Sequence, residues 1–158
     1  MSAVALLALG NPWRSDDALG LQALAAAQRR APHDIELRTQ HLMGPEDVSI
    51  MEGAAVALFI DASLQLDGAF SLSRLTAAEQ VSVMRHGPTP AQALAWAGLL
   101  LERVPPAFVL AIHGQVFEAA AGLSPQAALH LERALDFLDV LLAEPHEAHW
   151  MTCCGIRR

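Results

Sequence analysis

Three short runs of the chain are apolar at almost every position: Ala3–Leu9, Ala55–Ile60 and Phe108–Ile112. Runs of this length without polar alternation predict strands covered on both faces. Two further segments alternate instead. Ile35–Thr39 reads as a strand nearer an edge, and Ala69–Leu75 as a half-covered, antiparallel strand after the Asp67-Gly68 turn. Helical spacing fills the intervals. Asp17–Arg30 places Leu21, Leu24 and Ala25 on one face, with Ser15 or Asp16 as cap and Pro32 as stop. Gly44-Pro45-Glu46-Asp47 opens a short helix to about Glu52. Thr89-Pro90 opens one from Ala91 to about Arg103, and Ser124-Pro125 opens the last, to about Leu142. This order of strands and helices predicts an α/β protein, a three-layer sandwich around a mostly parallel sheet. No internal repeat or linker divides it, so residues 1–143 read as one domain and 144–158 as a C-terminal tail.

Composition narrows the function classes. The apolar share is 53 %, which suits a sheet covered on both sides. No apolar run reaches the roughly 18 residues of a spanning helix, and no signal peptide is legible, so no membrane partner is expected. With 10 Lys and Arg against 17 acids, for a net charge of −7, nucleic acid is a poor partner. The two cysteines, Cys153 and Cys154, are adjacent in the tail. They do not form a disulfide framework, and a reducing cytoplasm is the default expectation. The nearby His146-Glu147-Ala148-His149 is one residue short of the zincin spacing, so its imidazoles would not share a helix face at i,i+4.

The candidate chemistry lies at strand ends. In open parallel sheets, ligands bind beyond the carboxyl ends of the strands. Leu9-Gly10-Asn11-Pro12-Trp13-Arg14-Ser15 leads from the first strand into two adjacent carboxylates, Asp16 and Asp17. Asp61 ends the strand Ala55–Ile60, and His86 lies in the loop before the helix from Ala91. Asp17, Asp61 and His86 could meet at one rim. Two carboxylates and an imidazole suit a borderline divalent ion such as nickel or zinc and leave positions open for substrate or water. Asp16, if it faces the cleft, could orient that water. His41 is a further rim candidate, and His113 reads as structural. The Gly10-Asn11-Pro12 turn is no phosphate loop, and no Gly-x-Ser-x-Gly elbow occurs.

The block Leu9–Gly20 resembles the N-terminal signature of the hydrogenase maturation proteases, the endopeptidases that trim the C-terminal extension of the [NiFe]-hydrogenase large subunit. Three more segments agree in order and spacing: Phe59-Ile60-Asp61-Ala62-Ser63, His86-Gly87-Pro88-Thr89-Pro90 and Gly122-Leu123-Ser124-Pro125. The resemblance spans roughly residues 3–142. It implies a twisted five-stranded sheet and a metal site formed by Asp17, Asp61 and His86. It also implies a large-subunit precursor as partner, with nickel carried by that substrate and no resident cofactor required. A non-catalytic nickel-binding chaperone would need the same ligands and interface without cleavage, and a small-molecule metal-dependent hydrolase is the other rival.

Overall fold

The computed structural model describes residues 3–76 and 87–156. Its centre is a five-stranded sheet: β1 (Ala3–Ala8), β2 (Glu36–His41), β3 (Val56–Ser63), β4 (Phe70–Arg74) and β5 (Ala107–His113), in the order β2-β1-β3-β5-β4. The first four in that order run parallel, and β4 is antiparallel on β5. The three apolar runs are the three inner strands. The two alternating segments form β2 and β4, which lie at the edges of the sheet; polar alternation places Ile35–Thr39 nearer an edge and Ala69–Leu75 as half-covered, and a strand covered on one face keeps polar side chains on the other.

Alternate residues of the inner strands feed two cores. Val4, Leu6, Leu58, Ile60, Phe108 and Leu110 pack under α1 (Leu19–Arg30) and α3 (Pro125–Ala143). Ala5, Leu7, Ala57 and Phe59 face α2 (Pro90–Leu100) and a 3-10 helix at Pro45–Met51. The result is the three-layer α/β/α sandwich that the pattern predicts. Pro90 and Pro125 open their helices, and the Thr89 and Ser124 hydroxyls cap them by accepting from Gln92 N (3.2 Å) and Ala127 N (3.3 Å).

Three local expectations change. The helix expected from Asp17 begins at Leu19, preceded by a 3-10 turn at Ser15–Ala18 without a side-chain cap. The helix after Gly44 is 3-10 rather than α. The segment set apart as a tail is part of the fold. Within it, α4 (Glu147–Cys153) buries Trp150 completely, and Cys153 nearly so, in the larger core. The Trp150 ring meets Phe108 edge-on at 5.4 Å, and its indole N–H donates to Leu141 O at 2.9 Å. Arg74 lies over Phe108 and pairs with Glu147 at 2.8 Å, and Gly155 N donates to Leu72 O of edge strand β4 at 3.4 Å. No described helix is long and apolar enough to cross a membrane.

Candidate active site

At the carboxyl end of β1 the chain turns through Gly10, whose φ is +131°. A Cβ here would sit 1.9 Å from the Asp17 carbonyl oxygen, so a side chain is excluded by contact as well as by backbone conformation. The turn is tied to the acid that follows it: Asn11 N donates to Asp17 Oδ2 at 3.0 Å, and Trp13 N donates to Asn11 Oδ1 at 2.9 Å. Gly20, in the first turn of α1, lets the helix approach the same strand ends. A Cβ there would lie 2.4 Å from Ile60 O and 2.6 Å from Leu9 O.

Asp61 stands near the end of β3, directly beside β1 in the sheet. Burial pushes its carboxyl up to about 6, and the neighbouring Asp17 charge pushes the same way. The bond from Ala62 N to Asp61 Oδ1, at 2.9 Å, offsets only part of this. The Asp17 charge thus adds to the cost of ionising Asp61 at this rim, a cost that a bound cation would relieve. Among the described residues no group of three or more His, Cys, Asp or Glu could hold a metal ion. The third expected ligand, His86, lies outside the described residues.

Asp16 does not take the place foreseen for it in the cleft. Its side chain is fully buried. Oδ2 accepts from Gln115 N (2.8 Å), Val116 N (2.9 Å) and Ser124 Oγ (2.8 Å), and Oδ1 accepts from Ser124 N (2.7 Å). Burial alone would raise its pKa, but the bonds from Val116, Gln115 and Ser124 outweigh that and hold the carboxyl below its ordinary value. Asp16 therefore staples the loop 114–124 to the β1 turn and has no exposed oxygen with which to orient a water.

The rest of the turn joins the same loop. Ser15 N donates to Ala120 O (3.0 Å), Ser15 Oγ to Gly122 O (2.9 Å) and Arg14 Nε to Phe117 O (3.0 Å). Ser15 holds a left-handed conformation (φ 48°), which costs a non-glycine residue about 1 kcal/mol and persists because these bonds over-determine it. Sequence reasoning missed this loop partnership. Its one signal was the Gly122–Pro125 block, whose spacing says nothing about contact with residue 16. His41 is also engaged structurally: its Nε2 donates to Gly10 O at 3.0 Å and steadies the turn. His113 stacks on His130 (ring centroids 5.2 Å apart), and its carbonyl accepts from His130 Nδ1 at 2.8 Å.

Exposed apolar side chains stand on the loops that follow three strands at this rim: Trp13 after β1 (78 % exposed), Met43 after β2 (72 %) and Leu64 after β3 (60 %).

No protein-family model matches the chain, and no curated protein sequence matches it. Solved structures do. The hydrogenase maturating endopeptidase HybD from E. coli superimposes with a TM-score of 0.72 at 20 % identity, covering 92 % of this chain and 94 % of that one. An endopeptidase from E. coli solved in solution gives 0.69 at 20 % identity, over 91 % and 94 %. The [NiFe] hydrogenase maturation protease HycI from Thermococcus kodakarensis gives 0.66 at 15 % identity, over 90 % and 94 %. The likeness runs through nearly the whole of each chain, so the protein has the fold found in these maturation endopeptidases.

Proposed function

We propose that the protein is an endopeptidase that removes the C-terminal extension of a [NiFe]-hydrogenase large-subunit precursor once nickel has been inserted. The observation that carries this reading is the placement of Asp17 beside Asp61 at the carboxyl rim, where the Asp17 charge helps to raise the Asp61 carboxyl, on a fold shared with proteins named as hydrogenase maturation endopeptidases. Nickel enters here as part of the substrate. Asp17, Asp61 and His86 would receive it, and a substrate lacking it would gain little from two carboxylates that repel one another. When docked, such an ion supplies Lewis acidity, polarising a peptide carbonyl or lowering the pKa of an attacking water.

The chain's own residues set the geometry. Gly10 and the Asn11 N–H hold the Asp17 carboxylate at the rim. Asp61 is held by strand β3 and by the Ala62 N–H. Asp16 and Ser124 keep the 114–124 loop against the turn that carries Asp17. Trp13, Met43 and Leu64 offer exposed apolar surface of the kind that binds a folded partner.

Processing of a nickel-loaded precursor by Asp17→Ala, Asp61→Ala and His86→Ala variants tests the assignment. Loss of cleavage with retained thermal unfolding is expected for each. Cleavage at the wild-type rate by any of the three removes that residue from the site.

A further inference from the structure

Two cavities outside the carboxylate pair share one side chain, Arg133. The first, of about 430 Å3, opens between the 66–69 loop and the first turns of α3, with His113, Gln126 and Arg133 on its walls. The second, of about 530 Å3, lies farther along α3, with Phe70, Phe137, Val140 and Ile156 around Arg133 and Cys153. Together they form a groove that is polar near the rim and apolar beyond it. Its start, at His113, lies at the same carboxyl end of the sheet as Asp61. Asp61 pairs with Ala111 on β5, so His113 is one strand over and two residues on. From strand spacing and rise the two Cα positions are roughly 8 Å apart.

The polar end is rigid. His130 is buried, and its Nδ1 donates to the His113 carbonyl at 2.8 Å. The other ring nitrogen therefore accepts in the neutral imidazole, taking the Gln126 amide at 3.0 Å. The stacked His113 ring is fixed against this pair. At the apolar end, Phe70 and Phe137 stack at 4.7 Å and make a firm floor. Two carboxylates also line the groove, Asp67 at its polar end and Asp136, which pairs with Arg30 at 3.3 Å, at its apolar end. A guanidinium and an imidazole beside an apolar pocket suit a ligand that combines a carboxylate with a large apolar side chain.

We propose that this groove binds the leaving segment of the substrate, an extended peptide with a carboxylate against Arg133 and His113 and an apolar side chain over Phe70 and Phe137. The inference rests on the peptidase reading for the identity of the peptide, but its binding chemistry can be measured separately.

The probe is a dye-labelled synthetic peptide with an amidated C-terminus and one glutamate next to a leucine, followed by fluorescence anisotropy. Two twins accompany it: one with glutamine for glutamate, and one with glutamine and a free C-terminal carboxylate. The glutamate peptide is expected to bind the wild type about three- to tenfold more tightly than the amidated glutamine peptide, the range for one charge-assisted contact at a partly exposed site. Arg133→Gln abolishes that preference. Val140→Trp, at a half-exposed position that crowds the apolar end, weakens all three peptides. If the free-carboxylate twin regains the affinity, a terminal carboxylate serves as the anion. If it does not, the side-chain carboxylate is the group read. Equal binding of the glutamate and amidated glutamine peptides, or a preference that survives Arg133→Gln, overturns the groove. Peptide preference without precursor cleavage keeps the groove and refutes the peptidase reading. Precursor cleavage by Arg133→Gln with an unchanged KM keeps the peptidase and refutes the groove.

Discussion

Replacing Asp16 by alanine removes an acceptor that serves four donors: the N–H groups of Gln115, Val116 and Ser124 and the Ser124 hydroxyl, all within 2.7–2.9 Å. Bonds to a charged acceptor contribute about 1.5–3 kcal/mol each, non-additively. Breaking a buried charged network from one side costs about 3–5 kcal/mol. Some of the orphaned donors would gain water, because Gln115 and Val116 are exposed residues. We therefore expect a loss of about 3–4 kcal/mol, a large part of the 5–15 kcal/mol typical of a domain, and a Tm lower by roughly 6–15 °C for a chain of this size. The pH dependence has a definite sign. The folded-state pKa of Asp16 is below its ordinary value of 3.8. Its contribution is therefore present in full above that value and is lost as pH falls through the lowered folded-state pKa. The difference between wild type and Asp16→Ala, read from urea unfolding by circular dichroism, should be constant from pH 8 to pH 5 and shrink below about pH 4. Hydrogen exchange should show the amides of 115, 116 and 124 losing protection first. A variant within about 1 kcal/mol of wild type at pH 7 would refute the stapling role. So would an Asp16→Asn variant that unfolds like wild type yet cleaves nothing, since that is the behaviour of a catalytic carboxylate.

Other variants probe separate parts of the account. Asp61→Asn should gain stability, because a folded-state pKa raised from 3.8 to about 6 gives a contribution that is full below 3.8 and lost as pH rises through 6; urea titration at pH 8 should show the variant more stable by up to about 3 kcal/mol, with little difference at pH 3.5, and a variant less stable than wild type at pH 8 would contradict it. Trp150→Ala, which empties a fully buried site and strands the Leu141 carbonyl, should cost about 3–5 kcal/mol by chemical unfolding, and truncation after Ala143 should give no cooperatively folded protein; a truncated chain with wild-type Tm would return this segment to the status of a tail. Trp13→Ala should leave Tm within about 2 °C, since the ring is exposed, while weakening precursor binding measured by surface plasmon resonance; unchanged affinity would remove Trp13 from the interface.

The elements that sequence alone made legible are those whose local rules agree with their tertiary setting. The inner strands β1, β3 and β5 are apolar because both faces are covered. The openings of α2 and α3 were visible because Thr89-Pro90 and Ser124-Pro125 supply a hydroxyl cap and a prearranged φ in adjacent residues. Asp61 could be placed at the rim because it follows a buried run directly. What failed to show depends on long-range partners. Asp16 looked like a helix cap or a cleft acid, and its true partners lie about 100 residues away. Nothing in the residues around Ser15 announces a left-handed backbone, which the bonds to Ala120 and Gly122 impose. Helix α4 has seven residues and one large anchor, Trp150, too little for a helical period to register. His41, a rim candidate by position, supports the Gly10 turn through a contact between the ends of neighbouring strands β1 and β2 that spacing cannot reveal.

Metal carried on the substrate licenses cleavage in the proposed reaction. The most direct measurement is the intact mass of a hydrogenase large-subunit precursor after incubation with this protein, compared between nickel-loaded and nickel-free preparations, with Asp17→Ala and Asp61→Ala alongside. Loss of one discrete C-terminal peptide is expected only from the nickel-loaded precursor and only with the wild type. A stable complex with no change in mass would contradict it and identify a chaperone, and equal cleavage of the nickel-free precursor would contradict metal recognition by the two carboxylates.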